Sequence, residues 1–293
     1  MADQQHTIDE EIQPKIMTVI GLGLIGGSFA LAAKTKGLSN HIIGVDSNKD
    51  HQQQALDLGI VDEISTLEQA IEKSHVIVLA VPVNAVTAML PGILDKVDQQ
   101  VVFEMGSTKE NVVKIVTGHA KRGRFVATHP MWGTEYSGPM AAQRDAFVNK
   151  AVVICDAQNS DADALAEVEL IYKTIGMHLV YMEAVAHDLH AAYVSHISHI
   201  TSFALANTVL EKEREDDAIF ELASGGFEST VRLAKSNPSM WVPIFKQNRE
   251  NVLDVLNEHI SQLRKFKSCL EKENYEYLQE LIEQANGIKR ILK

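Results

Sequence analysis

The chain has 293 residues, 45% of them hydrophobic and 23% charged, a globular balance with length enough for two domains. A formal net charge of -12 excludes a broad basic surface for a nucleic-acid backbone, although a few local Arg or His residues can still hold a small anion. Two cysteines, Cys155 and Cys269, stand far apart and in no metal-ligand spacing, which excludes a disulfide framework and fits a reducing cytoplasm.

The polar start MADQQHTIDEEIQ has neither the basic end nor the apolar core of a signal peptide. The longest apolar run, Val76 to Val81, falls far short of the ~20 residues that span a bilayer. A soluble, cytoplasmic protein is expected. Strand-like runs then alternate with helical stretches: KIMTVIG, IGGSFALAAKTKG, HIIGVD, KDHQQQALDLG, HVIVLAV, VNAVTAMLPGILDKV, QQVVFEM and TKENVVKIVTGHA. GRFVATHP and KAVVICDA are further strands. Near-continuous apolar strands joined by helices predict a Rossmann-like, doubly wound, mostly parallel sheet. From Met182 onward only helical periodicity is found, in AVAHDLHAAYVSHISHITSFALANTVLEKE and in the stretch from Met240 to Leu292. The charge run EKEREDD reads as a solvated helix face. The expected division is a polar tail over 1–13, a dinucleotide-binding α/β domain over 14–182 and an all-α domain over 183–293.

GLGLIG places Gly21, Gly23 and Gly26 between the first strand and the first helix, with Leu24 and Ile25 opening that helix. Glycine permits the tight turn, the approach of a pyrophosphate and close helix–strand packing, and the helix N-terminus offers free N–H groups. Asp46 ends the next strand, where a carboxylate accepts from ribose hydroxyls and repels a 2'-phosphate. NAD is therefore expected over NADP, with Ser47 and Lys49 nearby working against that preference.

A second unusual stretch is HPMWGTEYSG. His129 ends a predicted strand, so it faces the same crevice, where an imidazole suits general-base work. Ser107, in EMGSTKE, lies on the same rim. His187, His190, His196 and His199 cluster in AHDLHAAYVSHISH. Three readings stand: packed histidines, a metal site, or substrate contact by at least one; the lack of an HExxH or Cys partner counts against metal. Arg232, in GGFESTVRLAKSNPSMW, has the side chain suited to a bidentate grip on a carboxylate.

GLGLIGGS, GSTK, HPMWGTEYSG, the His187–Asp188 pair, SHISH and GFESTVRLAKSNPSMW occur in the order and approximate spacing of the prephenate/arogenate dehydrogenases, and the chain resembles prephenate dehydrogenase over nearly its whole length. The resemblance implies a nucleotide-binding domain, a helical domain through which two chains dimerise, and NAD(P)-dependent oxidative decarboxylation of prephenate to 4-hydroxyphenylpyruvate in tyrosine biosynthesis. It implies that His129 is the catalytic histidine at the substrate hydroxyl and that Ser107 orients that hydroxyl and the nicotinamide. By the same resemblance His199 holds substrate, with His196 beside it, Arg232 binds a substrate carboxylate, Thr134 and Glu135 border the pocket, and Trp241 stands next to it. No metal is implied.

Three positions depart from the family pattern: Glu104 where Asp is common, Ser198 where proline is common, with an expected effect on helix entry, and Trp132 where a small residue is common, expected to reshape the pocket. The alternatives are arogenate dehydrogenase with the same mechanism, a β-hydroxyacid dehydrogenase using Lys235, and a non-catalytic NAD-binding redox sensor. The short tail and the early end lead to the expectation of no preceding chorismate mutase segment and no sizeable C-terminal regulatory domain.

Overall fold

The computed structural model describes residues 13–213 and 222–291. Nearly all of the expected polar tail, and the EKEREDD run beyond Glu213, lie outside those residues. The first half builds β1 (Lys15–Ile20), α1 (Leu24–Thr35), β2 (Ser39–Val45), α2 (Lys49–Asp57), β3 (Glu63–Ile64), α3 (Leu67–Lys73), β4 (Val76–Leu79), α4 (Val83–Leu94), β5 (Val101–Glu104), α5 (Glu110–Lys114) and β6 (Phe125–Pro130). β7 (Ala151–Cys155), α6 (Ala162–Ile175) and β8 (His178–Met182) complete one sheet in the order β3-β2-β1-β4-β5-β6-β7-β8.

The strands are apolar on both faces because both faces are covered. Val76 and Val78 enter one core with Phe29, Phe103 and Tyr172, while Ile77 and Leu79 enter the other with Leu90, Val102 and Phe125. All neighbouring strands run parallel except β6 and β7. The exception has a local cause. After β6 the chain stays at the carboxyl rim: Trp132 packs edge-on against Phe147, and the Gln143 N–H donates to Ser28 Oγ on α1 at 2.9 Å. It therefore re-enters the sheet from the same end. Trp132 thereby anchors this loop against the core.

Three sequence expectations change. The helix expected over TKENVVKIVTGHA reduces to α5, because residues 115–118 break into turns and Lys109 precedes its first turn. Residues 60–74 and 158–182, left without elements above, contain β3, α3, α6 and β8. Helix α6 is long and capped by Gly176 at φ +94°, and its Tyr172 packs on Phe103.

The second half is helical: α7 (Ala184–Ala191), α8 (Ile197–Glu213), α9 (Gly225–Val231), α10 (Pro238–Gln247), α11 (Arg249–Glu271) and α12 (Tyr275–Ala285). A π turn over Ala192–His196 joins α7 to α8 without a break, and Ser198 sits exposed in α8, so the chain continues helically where the family commonly has proline. The two halves meet where Thr108 Oγ1 donates to Gln247 Oε1 at 2.7 Å and where Val83 packs with Trp241 and Ile244.

Candidate active site

The turn from β1 into α1 has no room for a side chain at Gly21 or Gly26. Gly21 adopts φ +93°, and a Cβ there would meet the Ala80 carbonyl oxygen at 2.5 Å. A Cβ on Gly26 would lie 1.9 Å from the Gly21 carbonyl oxygen. Gly23 is different: a Cβ there would meet nothing within 4 Å, so its smallness leaves open space. Gly23 is the N-cap of α1 and no side chain caps it, which leaves the first-turn N–H groups of Leu24 and Ile25 to a ligand. Asp46 closes the cradle. Its Oδ2 accepts from the Leu22 N–H at 2.7 Å and its Oδ1 from the Asn48 N–H at 2.8 Å. A glycine-lined turn, an uncapped helix start and a tethered carboxylate fit a dinucleotide.

Beside it, the ends of β5 and β6 carry a buried charge pair. Lys109 Nζ and Glu104 Oε1 are in contact, both side chains being 0% exposed. Lys109 Nζ also donates to the Thr128 carbonyl at 2.7 Å, and Glu104 accepts from the N–H groups of Gly106 at 2.7 Å and Thr128 at 3.1 Å. The longer Glu104, in place of the family's usual Asp, thus staples β5 to β6 just below Ser107 and His129. The Ser107 hydroxyl takes no bond from any described residue. His129 is half-buried, and its Nδ1 shares a 2.8 Å hydrogen bond with His187 Nε2. Burial holds the His129 imidazole well below its ordinary 6.5, helped by the charges of His187, Lys109 and His196.

The helical half supplies the opposite wall. His187 Nδ1 and Asp188 Oδ1 lie 2.7 Å apart, and Asp188 accepts from the N–H groups of Lys109 at 2.7 Å and Glu110 at 3.0 Å. Asn248 Nδ2 donates to the Asp188 carbonyl at 2.6 Å and to His196 Nδ1 at 3.1 Å. His196, expected to stand beside His199 at the substrate, is 1% exposed and enclosed by Trp241 and Phe245. Burial pushes it down to about 4.

His199 stacks on Trp241 with ring centroids 3.5 Å apart. Burial lowers its imidazole, against the opposing effect of its Ser195 carbonyl partner. Arg232 Nη1 donates to Glu135 Oε2 at 3.0 Å, which brings a distant helix turn against the loop holding Thr134. That loop shapes itself: the Tyr136 N–H donates to Thr134 Oγ1 at 3.3 Å. Its own backbone N–H and the Arg232 guanidinium hold the Glu135 carboxyl below its ordinary range.

Among the described residues no three His, Cys, Asp or Glu side chains converge as metal ligands. Sequence reading assigned no role to His187, Asp188, Lys109, Glu104 or Asn248. The signal for three of them was present, in the adjacent His187–Asp188 pair and in the Lys of GSTK. Asn248 carries no local signal, since only packing sets it against α7.

A family model described as "Prephenate dehydrogenase, nucleotide-binding domain" matches residues 29–181, and one described as "Prephenate dehydrogenase, dimerization domain" matches residues 183–284. The chain is 31% identical over 262 residues to a prephenate dehydrogenase of Bacillus subtilis, covering 88% of this chain and 71% of the relative. It is 28% identical to a cyclohexadienyl dehydrogenase of Zymomonas mobilis, covering 95% and 96% of the two chains. A crystal structure of prephenate dehydrogenase from A. aeolicus with hydroxyphenyl propionate and NAD+ superposes with a TM-score of 0.84 at 29% identity, covering 96% of this chain and 99% of that one.

Proposed function

The chain belongs to the prephenate dehydrogenase family and is an NAD-dependent oxidoreductase, and we propose from there how its own residues perform the oxidative decarboxylation of prephenate to 4-hydroxyphenylpyruvate. One observation carries the assignment of roles: the half-buried His129 imidazole at the carboxyl end of β6, tied through Nδ1 to His187 and without a described partner at Nε2. Bound NAD+ supplies the electron acceptor. Gly21, Gly23, Leu24, Ile25 and Gly26 hold its pyrophosphate, and Asp46 holds the ribose hydroxyls and disfavours NADP.

His129, neutral, takes the substrate's hydroxyl proton at Nε2 as a hydride leaves the carbinol carbon, and a ring carbonyl forms. When the ring carboxylate departs as CO2, its electron pair enters the ring, which becomes aromatic. The oxygen then recovers its proton from His129. The histidine is thus a base and then an acid, and no net proton is released. Ser107 orients the hydroxyl. Arg232 and His199 hold substrate carboxylate charge, with Thr134, Glu135 and the Trp241 ring bordering the same space.

The end of β8 at Met182 supports a boundary between a dinucleotide-binding domain over 14–182 and a helical domain over 183–293. The helical domain pairs two chains. An apolar cavity of about 520 Å³ between α8, α9 and α10, lined by Phe203, Leu210, Phe227, Val242 and Phe245, supports this reading. Two free, buried cysteines suit a cytoplasmic enzyme, the acidic charge argues against a nucleic-acid partner, and no described helix is long and apolar enough to cross a membrane. The test is NADH formation by purified protein with prephenate and arogenate under NAD+ and NADP+, alongside His129→Asn. Turnover on prephenate with NAD+, lowered about 10²–10⁴-fold in the variant with NADH binding kept, is expected; near-normal turnover by the variant removes His129 from the role.

A further inference from the structure

Three side chains run in line away from the reacting space: His129, His187 and Asp188. With both imidazoles neutral and Asp188 ionised, hydrogen-bond bookkeeping along this line has one solution. The Asp188 oxygens already accept from two backbone N–H groups, those of Lys109 and Glu110. A backbone N–H can only donate, so Asp188 is on the accepting side, and it receives the His187 Nδ1 proton as well. His187 neutral then has a bare lone pair at Nε2. The 2.8 Å contact to His129 is made only if His129 carries its proton on Nδ1. That leaves the His129 Nε2 lone pair facing the substrate.

We propose that His187, oriented by Asp188, is a positioning residue that fixes the tautomer of His129 and shares the proton taken from the substrate. The inference rests on the reading of His129 as the base. When His129 Nε2 takes the hydroxyl proton, its Nδ1 proton moves toward His187 Nε2, and the positive charge spreads toward the Asp188 carboxylate. On decarboxylation the protons return along the same line, so the pair starts and ends neutral. The opposite tautomer, protonated on Nε2, would point a donor at the hydroxyl and could accept nothing from it.

The surroundings agree with this assignment. Facing the His129 ring are His187 and His196 from the helical half and Lys109 from the β5–α5 connection; Glu104 and Asp188 are the carboxylates bound to that lysine's ammonium and backbone N–H. Burial lowers His187, and its bond to Asp188 opposes that fall. The carboxylate thus moderates the cost of placing a transient charge on a buried ring.

The experiment compares wild type, His187→Phe, His187→Gln and His129→Asn. Phenylalanine fills the space but accepts no bond. Glutamine can donate to Asp188 and accept from His129, yet cannot carry the proton. In a Ser-His-Asp triad, presenting the wrong histidine tautomer costs about 10⁴ in turnover. His187→Phe is expected to lose about 10²–10⁴ in kcat with little change in KM for NAD+, and His187→Gln to recover at least about tenfold of that loss. Ring-nitrogen NMR of wild type is expected to show His129 protonated on Nδ1, and the acid limb of the kcat profile is expected to change position in His187→Phe.

An Nε2-protonated His129 in wild type, or wild-type kcat and pH profile in His187→Phe, overturns the inference. If His129→Asn is inactive while His187→Phe is normal, only this inference fails. If His129→Asn is active, the underlying assignment of the base fails with it. The wild-type spectrum decides even where a variant folds poorly.

Discussion

Lys109→Met separates the buried charge pair from everything around it. Wild type has an ammonium bonded to Glu104 and to the Thr128 carbonyl, with neither charged side chain exposed. Methionine fills the stem's volume but leaves the carboxylate with only the N–H groups of Gly106 and Thr128. Breaking a buried pair by removing one partner costs about 3–5 kcal/mol. The carboxylate has one escape, which is to take a proton, and burial already raises Glu104 from its ordinary 4.5. At pH 7 that escape costs about 3.4 kcal/mol, at about 1.4 kcal/mol per pH unit above 4.5.

The sign follows from linkage. In the variant the folded state holds a proton that the unfolded state releases above 4.5, so the variant loses stability as pH rises. Urea unfolding at fixed protomer concentration should show a loss of about 3–5 kcal/mol at pH 7, about 2 kcal/mol smaller at pH 5.5. Adding Glu104→Gln should recover most of it, because no buried charge is left. A loss below about 1 kcal/mol, or one equal at both pH values, would refute this account of the pair.

Gly26→Ala should lower Tm markedly, because its Cβ would stand 1.9 Å from a backbone oxygen, whereas Gly23→Ala should melt like wild type yet bind NADH more weakly in a fluorescence titration. Arg232→Ala should mainly raise KM for prephenate, by about 10–100-fold for one charge-assisted contact of about 1.5–3 kcal/mol, with kcat less affected in initial-rate assays. Burial lowers the imidazoles of His129, His187 and His196 in the folded state. Below their ordinary 6.5 the unfolded chain therefore binds more protons, and stability should fall as pH drops from 6.5, by at most about 1.4 kcal/mol per unit for each group, as read by chemical denaturation at pH 7 and pH 5.5.

The dinucleotide cradle was legible because its determinants are local. Gly21, Gly23 and Gly26 lie within one turn, and Asp46 sits one strand–helix–strand unit further on, so the spacing alone carries the geometry. The helical character after Met182 was legible for the same reason, since periodicity is a property of neighbours along the chain. Helix α6 had local signals as well, from Asp161 at its N-cap to Gly176 at its end, and a fuller reading of periodicity would find it. The reversed direction of β7 had none, because it depends on where residues 131–150 attach, through Trp132, Phe147 and Ser28.

Sequence by itself therefore determined which residue types were on hand: a glycine turn, a ribose-binding carboxylate, a histidine ending a strand, and a cluster of histidines on helical segments. Only the tertiary structure decided how those histidines divide their work. His187 and His199 stand on one helical run with His196 between them, yet His187 bonds His129, His199 stacks on Trp241, and His196 is enclosed behind both. The π turn and the packing of α10 and α11 make that division. It is a matter of distances between chain-distant atoms, which spacing along one chain does not encode.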